Sequence, residues 1–70
     1  MSDRQALIRL CQEAEARWRA GTLDRETFMR LASEILDAAD GDRDALEPLI
    51  LFAPEESWVD DALALPGAVG

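Results

Sequence analysis

Apolar residues recur at three- and four-residue intervals through the first half of the chain, and no stretch alternates with period two for long enough to predict a strand. Leu7, Leu10, Cys11, Ala14 and Trp18 fall on one helical face, while Arg4, Arg9, Gln12, Glu13, Arg17 and Arg19 take the other positions. Ser2 with Gln5 three residues on has the form of a capping box, and Gly21 supplies a left-handed stop, so a helix is expected over about 3–20. Glu13 and Arg17 form an i,i+4 pair in the favourable order.

The segment Gly21-Thr22-Leu23-Asp24-Arg25-Glu26-Thr27-Phe28 is a second helix start. Asp24 suits the N-cap, Glu26 the electropositive first turn, and Leu23 with Phe28 the hydrophobic staple. Phe28, Leu31, Ala32, Ile35, Leu36 and Ala39 then share a face over about 25–40, where Gly41 ends the helix. The short connection makes the two helices an antiparallel hairpin.

Beyond Gly41 the pattern predicts two shorter helices, over about 45–52 and 55–65. Asp44 is the expected cap of the first, with Pro48 in its first turn and the apolar run Leu49-Ile50-Leu51-Phe52 following. Pro54 is placed at the start of the second, whose apolar stripe is Trp58, Val59, Ala62 and Leu63. Pro66-Gly67 ends it, leaving a frayed tail over 66–70. The expected fold is therefore all-α: one domain, a small bundle of three to four helices built on the N-terminal hairpin. Trp18, Phe28 and Phe52 are expected in or near its core.

Composition then narrows the function. The chain has no Lys, His, Tyr or Asn, so acid–base chemistry would fall to carboxylates alone, and a 70-residue helical chain has little room for a substrate cleft. It is read as a non-enzyme without cofactor or metal. The lone Cys11 cannot form an internal disulfide and reads as a small apolar residue, and Asp37, Asp40, Asp42 and Asp44 lack the spacing of an EF-hand loop. No apolar run reaches membrane-spanning length and the first residues lack the apolar segment of a signal peptide, which makes the cytoplasm the expected compartment.

Charge is distributed unevenly. Residues 1–43 hold nine acids and seven arginines, whereas 44–70 hold six acids and no base, so −6 of the net −8 lies in the C-terminal segment. Such a chain repels nucleic acid and anionic membrane and is drawn to basic protein surfaces. Glu47, Glu55, Glu56, Asp60 and Asp61, with Trp58 among them, are the candidate partner-binding residues; Trp58 suits an interface anchor, and most of its ring is equally expected to pack the final helix onto the hairpin.

The Trp18-to-Phe28 segment, the run Leu49-Ile50-Leu51-Phe52 and the acidic Trp58-Val59-Asp60-Asp61 together resemble the immunity proteins of the colicin D type. That resemblance implies an acidic four-helix inhibitor covering the basic active site of a tRNA-cleaving toxin. The residues alone suggest the same physical class: an inhibitor whose carboxylates imitate phosphates and occlude a nucleic-acid-binding surface. Phage anti-CRISPR and anti-restriction proteins and toxin-neutralising immunity proteins belong to that class. The alternative is an assembly or oligomerisation module, even a homodimer, that pairs through the apolar hairpin face of Phe28, Leu31, Ile35 and Leu36.

Overall fold

The first helix begins where an aspartate can satisfy its open N–H groups. A computed structural model of the chain describes residues 3–65, and in it α1 runs Arg4–Ala20 with Asp3 as N-cap. The Asp3 carboxylate accepts from the Ala6 N–H at 3.1 Å. The cap thus lies one residue beyond the expected Ser2, which is outside the described residues. The Asp3 N–H donates to the Ala38 carbonyl at 2.7 Å, tying the start of α1 to the end of α2 (Arg25–Ala38).

At the other end of the hairpin, Gly21 adopts φ 72°, and the N–H groups of Gly21 and Thr22 donate to the Trp18 and Arg17 carbonyls at 3.1 and 2.9 Å. This is the double bond pattern of a Schellman stop. A Cβ at Gly21 would meet nothing within 4 Å, so only the backbone conformation demands glycine. Gly21→Ala should therefore lower stability by about 1–2 kcal/mol, the cost of a left-handed L-residue, with the helical far-UV spectrum unchanged. Urea unfolding measures it, and a neutral result would mean that the turn can take another conformation.

Asp24 caps α2 as expected, accepting from the Thr27 N–H at 2.8 Å. Hydrogen bonding by Thr27, through its side chain first and its N–H second, holds the Asp24 carboxyl below its ordinary pKa, with Arg17 adding a smaller attraction. A depressed folded pKa means that this contribution is complete above the unfolded value of about 3.9 and is lost as pH falls through the lower folded value. Asp24→Asn, which keeps the cap and removes the titration, should lose less stability than the wild type between about pH 5 and about pH 2. Parallel acid-unfolding curves for the two proteins would exclude Asp24 as a contributor.

The end of α2 differs from expectation. Asp40 (φ 56°) occupies the left-handed position and Gly41 (φ 84°) follows it, with the Gly41 N–H donating to the Leu36 carbonyl at 2.7 Å. Aspartate tolerates that region better than most residues, so the helix stops before the glycine is reached.

The predicted helix over 45–52 is broken in two. A 3₁₀ turn, Arg43–Leu46, is capped by Asp42 and not by Asp44, and it leads into a single α turn, α3 (Glu47–Ile50). Pro48 has no N–H to give the Asp44 carbonyl, so an α ladder cannot run through this stretch and shorter i→i+3 bonds take over. Leu51 and Phe52 lie in the turn that follows. The last helix, α4, is Glu56–Leu63, shorter than the 55–65 expected; its N-cap is the extended Glu55, and Pro54 stands outside the helix. The tail predicted over 66–70 lies outside the described residues.

These elements make a small all-α bundle in which every regular element of the described residues is helical. Helix α2 is its hub, packed against α1, the 3₁₀ turn and α4. Phe28, Leu31, Ile35, Leu36, Leu46 and Leu49 are its fully buried large side chains, and the small Ala14 of α1 and Ala62 of α4 are buried with them where those helices pack on α2. No polar or charged residue is buried among the described residues. The apolar face of the hairpin is therefore used internally, covered by the second half of the chain. Trp18 does not join this core: it is 52% exposed, with its ring 5.3 Å from that of the half-buried Phe52. Ala14, one turn earlier, takes the inward place on α1.

Candidate partner-binding surfaces

Five of the six residues singled out from the sequence lie on α4 or at its cap, but they do not all face outward. Glu55, Glu56 and Asp60 are exposed. Trp58 is half-buried with its ring 5.4 Å from that of the buried Phe28, so most of its contact is made within the fold. Asp61 is paired with Arg25 from the start of α2. Glu47 sits elsewhere, on α3, which packs against α1 and the 3₁₀ turn. The acidic set is thus divided between two elements with different main neighbours, α3 against α1 and α4 against α2.

The folded chain also corrects the linear picture of an acidic segment without bases. Besides Arg25 on Asp61, Arg43 donates from Nε to the Leu63 carbonyl at 2.9 Å and from Nη2 to the Leu65 carbonyl at 2.5 Å. A cation there satisfies the open carbonyls of α4 and opposes the negative end of its dipole. Both arginines come from the charge-balanced part of the sequence, and no local spacing announces either contact.

Three more arginines pair with glutamates of α1. Arg17 and Arg30 both hold Glu13, at 3.1 and 3.2 Å, and Arg19 holds Glu15 at 3.5 Å. Five of the seven arginines are therefore engaged, yet their pairs among the described residues neutralise only Glu13, Glu15 and Asp61, because two arginines share Glu13 and Arg43 serves carbonyls. Glu47, Glu55, Glu56 and Asp60 have no ion-pair partner among the described residues. What the fold leaves outward is predominantly anionic.

Between α1 and α3 lies an open groove of about 650 Å³, lined by no residue of α4, that sequence reasoning missed. Leu7, Ile8, Cys11, Pro48 and Leu51 form its apolar lining, and Asp44 and Glu47 stand on it as well. Ile8 and Leu51 are 47% and 77% exposed. One signal was available: four consecutive apolar residues, Leu49 to Phe52, cannot all face inward from one helical turn. Burial raises the pKa of the Cys11 thiol above its ordinary value, which makes it a poor nucleophile.

A second hollow, between α1 and the end of α2, is lined by Asp3, Arg9, Glu13, Glu34 and Asp37 among others. No group of three or more His, Cys, Asp or Glu among the described residues is arranged to hold a metal ion. Nor is any helix among them long and apolar enough to cross a membrane. Comparison of the chain with protein-family models, curated proteins and solved structures finds no match in any of the three.

Proposed function

We propose that this protein is a non-catalytic inhibitor that binds a basic, nucleic-acid-binding surface of a partner enzyme and blocks it by occlusion. The observation that carries this reading is the imbalance of pairing among the described residues: five arginines are engaged internally, while Glu47, Glu55, Glu56 and Asp60 are exposed and have no counter-charge there. A surface of one sign raises the encounter rate with the opposite sign and repels nucleic acid itself. Glu55, Glu56 and Asp60 are the centre of that surface, because they lie together at the start and on the outer side of α4. Trp58 contributes as the packing residue that seats α4 on Phe28, and Asp61 as its tie to Arg25. Anti-defence proteins of phage and toxin-neutralising immunity proteins are the two settings in which such a molecule acts, within the cytoplasm.

The test is capture of the partner from the native cell, followed by competition. The captured protein should be a nucleic-acid-processing enzyme, and its own DNA or RNA should displace the inhibitor. A partner without a basic nucleic-acid site, or one that binds both ligands at once, would count against occlusion.

A further inference from the structure

We infer that the groove between α1 and α3 is a second docking site, which takes an amphipathic helix of a partner: an apolar anchor flanked by Lys or Arg. This goes beyond the inhibitory reading, because the groove lies apart from the α4 carboxylates. Two of the four large apolar side chains left exposed among the described residues, Ile8 and Leu51, line this groove together. Exposed apolar groups gathered in one polar-rimmed place mark contact sites, whereas scattered ones do not.

The class of occupant follows from what the groove offers. Both of its walls are helical, so their backbone groups are largely bonded internally, and the described residues present no sheet edge on which an extended peptide could pair. An occupant must satisfy its own backbone, which is what a helix does. The charge of the rim sets the rest: Asp44 and Glu47 line the groove and no base does. A second copy of this chain would bring its own Asp44 and Glu47 to the same place, within two molecules of net charge −8 each, so a groove-to-groove dimer sets like charges together. A basic amphipathic helix has the opposite sign at the rim and the same apolar character at the centre.

Cys11, the only cysteine, lines the groove and reports its occupancy. The probe is a synthetic leucine–lysine amphipathic helical peptide, beside a leucine–glutamate peptide of the same apolar pattern. The basic peptide should bind and slow alkylation of Cys11 several-fold, and the acidic one should do neither. Ile8→Asp and Leu51→Asp make the protein more negative, so adhesion by charge alone would strengthen, whereas docking in the groove should weaken at least ten-fold. Asp44→Lys with Glu47→Lys, at exposed positions, should also weaken the basic peptide and admit the acidic one. Unchanged or tighter binding to the aspartate variants would overturn the proposal. So would Cys11 protection that arises from self-association without peptide.

Discussion

Replacing Phe28 with alanine should remove a large share of the protein's stability, about half of it at the middle of the expected range. The side chain is fully buried on the hub helix, and its ring supports Trp58 of α4 at 5.4 Å. Truncating a buried phenylalanine costs about 3–5 kcal/mol, and loss of the aromatic pair adds to that. A domain of 70 residues has a total stability of about 4–10 kcal/mol. Circular dichroism and urea unfolding measure the effect. Trp18→Ala is the informative contrast, because Trp18 is half exposed and should lose about 1 kcal/mol despite the larger ring. Equal losses at the two positions would mean that Trp18 belongs to the core after all.

The second large effect concerns recognition. Glu55→Lys, Glu56→Lys and Asp60→Lys together change the net charge by +6, from −8 to −2, and should slow association with the basic partner by about ten- to a hundred-fold. All three positions are exposed, so the bundle should persist, weakened only by cations placed at the start of α4. Glu26→Lys, Glu34→Lys and Asp37→Lys are the matched control, with the same charge change on exposed positions of α2. If the control slows association as much, net charge acts and the α4 surface has no special part. Stopped-flow or surface-based kinetics distinguish the two, since steering appears in the association rate.

The hairpin was legible in the sequence because its signals are local. Asp24, Gly21 and the Phe28-to-Ile35 stripe each act within one or two helical turns, and each stands where the spacing placed it. The second half was less legible because distant residues decide it. Pro48 removes a single donor and splits a helix that the apolar run suggested was continuous. Asp61 reads as a free carboxylate until α2 brings Arg25 to it, and the C-terminal segment has no cation of its own until Arg43 folds across to the carbonyls at the end of α4. The candidate site was legible as a charge imbalance but not as a shape: Glu47 is near the α4 acids in sequence, yet it lines the groove beside α1 and none of them does. Ile8 and Leu51 were hidden for the opposite reason, since apolar residues in helices are assumed to face inward until packing leaves some outside.

The salt dependence of association between the wild-type protein and its captured partner tests the central claim most directly. Unpaired carboxylates attract at distances that mobile ions screen, over a Debye length of about 30 Å at 0.01 M and about 3 Å at 1 M. The association rate should therefore fall by about ten-fold or more across that range, while dissociation changes much less. An association rate that does not change with ionic strength would contradict the account.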